Sequence, residues 1–150
     1  MPKVVLLDAG PLGMVAHPNA EAQNTKAAVW LKMLLDSGTQ VVIPEIADYE
    51  VRRELLRAGL TRSVRRLDQL KQVLKYLPLS TDAMLKAAEF WADARMTGKA
   101  TAKDDALDAD VILAGQAVTI VDIGDDAVIA TTNVKHLSRF ANAELWENIG

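Results

Sequence analysis

Acidic side chains supply most of the groups in this chain that could do chemistry. Asp8 ends the apolar run "VVLL" and precedes "AGPLG". Glu45, Asp48, Glu50 and Glu54 share one segment, and Asp104, Asp105, Asp108 and Asp110 crowd into seven positions before "VILAGQA". Like charges that close destabilise a fold unless they are spread through solvent as cap and turn residues or a cation sits among them. There is no cysteine and there are only two histidines, so thiolate zinc sites, disulfides and thiol nucleophiles are excluded. Carboxylates without a histidine or cysteine cluster suit a hard divalent ion, Mg2+ or Mn2+, which takes oxygen ligands and keeps waters. Such an ion can activate a water and neutralise a phosphate.

A nucleophilic Asp8 would imply other chemistry. Phosphohydrolases of the haloacid dehalogenase type need a second Asp two residues on, and here that place is Gly10. A receiver-type domain phosphorylated on Asp8 would need a partner Asp and Lys, and none is clearly placed.

The elements that position these groups alternate. "KVVLLDAG" and "AVIATTN" read as strands buried on both faces, "TQVVIP" as a second strand and "YLPL" as a short one. "AGPLG" reads as a Gly-Pro turn. Helices are expected from Asn19, as cap, to Gly38; from Pro44 to Gly59; over 61–75; from Ser80 or Thr81 to about Thr97; and from the Asp cluster onward. "GKATAKDD" is a polar loop and "GDD", with Asp125 and Asp126, a turn. Leu137, Phe140, Leu145 and Trp146 are expected to pack the tail back on the body. The reading is α/β: one domain over 1–150, a three-layer α/β/α sandwich around a central, mostly parallel sheet. Ligands of such sheets bind beyond the carboxyl ends of the strands, where Asp8 and Asn133 both stand.

Helical periodicity sorts the acids. Ala47, Val51, Leu55 and Ala58 form one stripe; Glu54 falls within it and Glu50 at its edge, so counting leans to Glu54, with an ion pair to Arg57 as its ordinary role. Leu107, Val111, Ala114 and Val118 form another stripe. Asp108 and Asp110, two residues apart, point about 200° from each other, and Asp110 is the better crevice carboxylate. Asp104 or Asp105 is expected to cap that helix. His136, near apolar residues, reads as structural.

The chain of 150 residues is 50% hydrophobic and 25% charged with a net charge of −3, the balance of an ordinary globular domain. Its start is too short and too soon acidic for a signal peptide, and no apolar run approaches a membrane span. A cytoplasmic protein is expected. Against the acidic total, Arg52, Arg53, Arg57, Arg62, Arg65, Arg66, Lys71 and Lys75 fall within 24 positions. So placed, they could hold phosphates or form a solvated helical face.

Taken in order, these segments resemble the PIN-domain proteins, the fold of toxin ribonucleases of the VapC type. "VVLLDAGPLG" resembles the opening strand and first acid, Asp8. "PEIADYEVRRELL" places the second acid on Glu50, against the periodicity. "DADVILAGQA" places the third on Asp110, with Asp108 as an alternative, and "ATTNVKHLSRF" matches Thr131 and Asn133 to the Thr-x-Asp/Asn segment. The fourth acidic place is Asn133, so one negative charge is missing; Asp108, Asp125 or Asp126 are possible substitutes. The resemblance implies a divalent-metal endoribonuclease acting on single-stranded RNA. Asp8, Glu50, Asp110 and Asn133 would be catalytic, with Asp8, Asp110 and Asp108 as metal ligands of Mg2+ or Mn2+. Arg62, Arg65, Arg66 and Thr131 would face RNA. It also implies a homodimer neutralised by a small antitoxin. The rival reading is a non-catalytic PIN-like module that binds RNA or protein with a degenerate metal site.

Overall fold

A computed structural model of the chain describes residues 4–17, 19, 21–97, 104–121 and 126–150. Residues 98–103 of the loop expected at "GKATAKDD" and most of the "GDD" turn lie outside the described residues, as do the Asp104 and Asp105 side chains expected to cap the helix that begins at Asp104. The strands are β1 (Val4–Leu7), β2 (Gln40–Pro44), β3 (Lys75–Leu77), β4 (Ala127–Thr131) and β5 (Ala143–Leu145). The helices are α1 (Ala9–Ala16), α2 (Ala22–Asp36), α3 (Glu45–Arg57), α4 (Thr61–Val73), α5 (Thr81–Met96), α6 (Asp104–Val121) and α7 (Val134–Leu137). All the strand pairings are parallel, in the order β3-β2-β1-β4-β5.

β1 shows why the sheet takes helices on both faces. Its four side chains are all buried, but they alternate between two cores. Val5 and Leu7 pack with Leu12, Ala27, Trp30, Leu31, Leu34 and Leu67 from α1, α2 and α4. Val4 and Leu6 pack with Leu113 and Ala117 of α6 and with Leu137. A strand apolar at every position has no solvent face, and a three-layer sandwich is the structure that satisfies it.

Local differences from the sequence reading have physical causes. "AGPLG" is not a turn but the first turns of α1. Asp8 caps it by accepting a hydrogen bond from the Ala9 amide at 2.7 Å, and Pro11 lies in the first turn, where no helical hydrogen bond is lost. Asn19 does not cap α2, which begins at Ala22 after Glu21; its Oδ1 accepts instead from the Asn24 side chain. Gly38 and Gly59 do end their helices, with φ of 84° and 70°, the left-handed region glycine tolerates. A fifth strand follows the one read as last. β5 has three residues, of which only Ala143 is buried, too short for a period-2 pattern to declare itself. The tail packs as expected through Leu137 and Trp146. Trp146 meets Trp30 edge-on at 5.4 Å, and the Trp30 indole donates to the Ile149 carbonyl at 2.8 Å. Leu145 is exposed.

Two residues of α6 fix its seat. Gln116, 1% exposed, donates to the Leu77 carbonyl at 2.9 Å and accepts from the Ile46 amide at 3.4 Å, tying α6 to β3 and to the start of α3. Gly115 lets α5 come close: a Cβ there would stand 2.4 Å from the Ala83 carbonyl oxygen. Gly115→Ala is therefore expected to force α5 and α6 apart. The cost should be about 1–3 kcal/mol, despite the better helix propensity of alanine. A denaturant midpoint at or above wild type would show that the helices do not constrain each other there.

Candidate active site

In this strand order the chain reverses its direction of winding between β1 and β4, and the carboxyl ends of those two strands are where open α/β sheets have their ligand crevice. Asp8 leaves β1 and Thr131 ends β4, so the sequence brings both to that point. The Thr131 hydroxyl donates to Asp8 Oδ2 at 2.7 Å, while Asp8 Oδ1 accepts from Ala9. Thr131 Oγ1 also accepts from the Asn133 amide at 2.9 Å. The Asp8 carboxylate is thus clamped across the switch point. Burial still pushes its carboxyl up from the ordinary range, and the Thr131 and Ala9 hydrogen bonds oppose this.

Two further carboxylates share its field. Glu50 is half-buried on α3, and its carboxyl is pushed up to about 7, first by desolvation, then by the charge of Asp8, with Asp110 adding to it and Arg53 opposing. Asp110 is half-buried on α6, and its carboxyl is pushed up to about 6 by desolvation and by Asp8, with His136 opposing. The charge of Asp8 therefore raises the cost of ionising Glu50 and Asp110, and Asp110 adds to that of Glu50. Acids perturbed in this way are candidates for a functional site. Among the described residues no group of three or more His, Asp or Glu side chains is placed to hold a metal ion. One or two carboxylates with waters is, however, the donor set Mg2+ or Mn2+ accepts. A divalent cation would also relieve the repulsion, so the residues fit such an ion.

The structure sorts the remaining candidates. Glu54, favoured by periodicity, is exposed and paired with Arg57 at 2.8 Å; Glu50, named by the resemblance, is the one in the crevice. Asp108 is corrected as a metal ligand. It is exposed and lines a groove with Met84, Ala87 and Trp91 on the α5 side of α6, as the 200° separation implies. Thr131 is corrected as an RNA contact. Its side chain is 0% exposed, and both interactions of its hydroxyl serve to place Asp8 and the turn after β4. Asn133 is exposed, and its Nδ2 lies 3.0 Å from His136 Nδ1. Asp126 is exposed and its carbonyl accepts from the Val4 amide, so it stands at the opposite end of β1 from Asp8. Asp125 lies outside the described residues.

Two residues near the site had been read differently, His136 as structural and Arg53 only as one of the basic segment. His136 Nδ1 lies 3.7 Å from Asp110 Oδ2. The signal in the sequence was its spacing: three residues after Asn133, it shares a helix face with it. Arg53, exposed and stacked on the Tyr49 ring at 5.1 Å, contributes a positive field at Glu50.

The basic segment divides in two. Arg52 pairs with Asp48 at 3.0 Å and Asp68 at 2.8 Å, Lys71 with Asp48 at 3.5 Å, and Arg57 with Glu54. Arg62, Arg65 and Arg66 line one shallow pocket with Gln69, at the i, i+3, i+4, i+7 spacing of one face of α4. Among the described residues none of the three has a carboxylate partner; Arg66 Nε donates to the Val15 carbonyl at 3.0 Å.

No family model and no curated protein matches the sequence. Solved structures do match in shape. A chain of FitAcB from Neisseria gonorrhoeae is 19% identical with a TM-score of 0.71, covering 97% of this chain and 99% of that one. A chain of VapBC2 from Rickettsia felis, solved bound to a DNA fragment from its promoter, is 14% identical with a TM-score of 0.70, covering 94% and 97%. A chain of the DNA-bound VapBC from Salmonella typhimurium is 18% identical with a TM-score of 0.64, covering 97% and 99%. The fold is therefore the PIN-like three-layer sandwich of these neighbours, shared over nearly the whole length of both chains.

Proposed function

We propose that the chain is a divalent-metal-dependent endoribonuclease that hydrolyses phosphodiester bonds of single-stranded RNA, and that it is the toxin of a toxin–antitoxin pair. The observation that carries the reading is the mutual field of Asp8, Glu50 and Asp110 at the switch point of the sheet. Asp8 and Asp110 would hold the ion. When bound, Mg2+ or Mn2+ supplies an activated water and neutralises charge on the scissile phosphate. Glu50, with its carboxyl pushed up to about 7, is poised to take a proton on its carboxylate from an attacking water near neutral pH. The Thr131 hydroxyl keeps Asp8 oriented, and Arg53 offers a phosphate partner beside the acids.

The neighbours are two-component complexes, which supports a small antitoxin as partner. A groove of about 330 Å³ between α2 and α4, lined by Leu31, Leu35, Leu70 and Val73 with Arg66 beside them, offers an apolar segment a seat. Met84, Leu85 and Trp91, exposed on α5, support a homodimer. Among the described residues no helix is long and apolar enough to cross a membrane, which is consistent with a cytoplasmic site of action. Asn133 in the fourth acidic place favours the second reading, a PIN-like binding module with a degenerate metal site. The deciding experiment is cleavage of a single-stranded RNA by purified protein in Mn2+ or Mg2+. Cleavage that stops in EDTA supports the nuclease; RNA binding with no cleavage in either metal assigns the module.

The unpaired arginines predict how RNA is held. Arg62→Ala/Arg65→Ala should weaken RNA binding and reduce the logarithmic salt slope by about 0.7 for each phosphate no longer neutralised. Arg66 is kept, because its bond to Val15 also joins α4 to α1. An unchanged slope in a binding titration across salt concentrations would make this stripe a solvated face.

A further inference from the structure

Tyr49 precedes Glu50 on α3, and the roles proposed above leave it unused. Its side chain is 56% exposed, a large apolar area to leave in water beside a crevice. The other tyrosine shows how the fold holds a ring it packs. The Tyr76 hydroxyl donates to Asp48 at 3.2 Å, and the Lys71 ammonium lies 4.4 Å from its ring centre. Tyr49 instead meets the Arg53 guanidinium, 5.1 Å from its ring centre. Arg53 is one helical turn from both Tyr49 (i+4) and Glu50 (i+3), so the cation stands between the ring and the crevice carboxylate. Its opposition to the raised carboxyl of Glu50 agrees with that placement. Trp91 is exposed too, but it lines a groove with Asp108 on the α5 side of α6, where a carboxylate would repel a phosphate chain.

We propose that Tyr49 and Arg53 form a stacking platform for one nucleobase of the substrate, on the α3 rim of the acidic crevice. The inference rests on the nuclease reading above and adds to it a contact to a base, where the other arginines meet phosphates. Unpaired bases stack on aromatic rings and on guanidinium planes, and every base offers such a face, so the contact tolerates any sequence. A duplex keeps its bases stacked on one another and has no face to offer. The platform therefore gives the site a physical reason to prefer single strands. Leu56, exposed on the same face of α3, would suit a protein contact instead, and the experiment separates the two.

A ring that touches a base and no phosphate leaves its own signature when removed. The probes are a single-stranded RNA oligonucleotide and an abasic ribose-phosphate strand of the same length, titrated in EDTA to keep both intact. Wild type should bind the base-bearing strand at least about fivefold more tightly, the low end of one base stacked on an aromatic side chain. Tyr49→Ala should lose at least about fivefold on that strand and nothing on the abasic one, with an unchanged salt slope. Tyr49→Phe should bind as wild type does. Arg53→Ala should also lower the logarithmic salt slope, by about 0.7 if its phosphate contact goes with it. In Mn2+ the Tyr49→Ala loss should appear in the KM for the RNA strand, with kcat little changed. The ring is exposed, so circular dichroism and sedimentation of Tyr49→Ala should match wild type. Equal binding of the two strands by wild type, or a Tyr49→Ala loss that is nil or the same on both, would overturn the platform alone. If that variant keeps wild-type RNA binding and sediments as a smaller species, the Tyr49 face is a contact between copies of the chain. Wild type that neither binds the RNA strand in EDTA nor cuts it in Mn2+ sinks the nuclease reading as well.

Discussion

Asp8→Asn is expected to lower the rate of metal-dependent RNA cleavage at least about a hundredfold while leaving the circular dichroism spectrum unchanged. The two halves of that result come from different atoms of one side chain. The structural duty of Asp8 is to accept a hydrogen bond from the Ala9 amide at the start of α1, and an asparagine oxygen performs it nearly as well. The Thr131 hydroxyl, which now donates to Asp8 Oδ2, can rotate and accept from an amide NH2 instead. What asparagine cannot supply is the charge. Charge stabilisation by a bound metal is worth several kcal/mol in a transition state, and about 2.7 kcal/mol already corresponds to a hundredfold in rate. Thr131→Val then acts as the graded control. It keeps the charge and the volume but frees the carboxylate to turn, so a loss of about tenfold is expected, the rate equivalent of one hydrogen bond. Equal cleavage by wild type and Asp8→Asn in Mn2+ would remove Asp8 from the site.

How far the sequence spoke for the site depended on where each acid lies relative to the face its element buries. β1 and β4 are buried on both faces, so their apolar runs declared a three-layer fold, and the polar residues at their ends fell at the crevice. On α6 one buried stripe was enough to separate Asp110 from Asp108 by angle. On α3 it was not. That helix packs against α1, α4 and α6, so its protected arc is wider than the stripe of Ala47, Val51 and Leu55. Glu50 lies on the part of the arc that borders the crevice, and the order of the acidic segments found it where periodicity leaned to Glu54. Thr131 was misassigned because a threonine at a strand end looks the same whether it turns outward to a ligand or inward to a carboxylate 123 positions away. His136 sits on a helix of four residues, too short for periodicity to give it a direction.

Removing a crevice carboxylate should stabilise the metal-free protein, and Glu50 is where the effect is largest. Its carboxyl is pushed from 4.5 to about 7 in the fold, chiefly by burial and by Asp8. Below about pH 4.5 the group is protonated in both folded and unfolded chains, and it costs the fold nothing. Between 4.5 and 7 the unfolded chain releases the proton and the folded one retains it, so stability falls as pH rises. Above 7 both are ionised and the penalty is complete. This is the reverse of ordinary acid denaturation, in which paired carboxylates are lost as pH falls. Glu50→Gln removes the penalty, so in EDTA it should match wild type near pH 4.5 and exceed it at pH 8. A fully desolvated carboxyl whose pKa rises by one costs the ionised fold about 1.4 kcal/mol. The half-exposed side chain is partly screened, so a gain of about 1–2 kcal/mol is expected. Asp110→Asn should gain less, because it also gives up the attraction of His136 at 3.7 Å. Mn2+ should then invert the order. An ion that binds only the folded state adds about 2.7 kcal/mol at a hundredfold excess over its Kd, and a site short of one charge captures less of it. Denaturant midpoints of wild type and Glu50→Gln at pH 4.5 and 8, with EDTA and with Mn2+, test the argument. If Glu50→Gln in EDTA is less stable than wild type by the same margin at both pH values, Glu50 does not share a field with Asp8, and the three-carboxylate site fails with it.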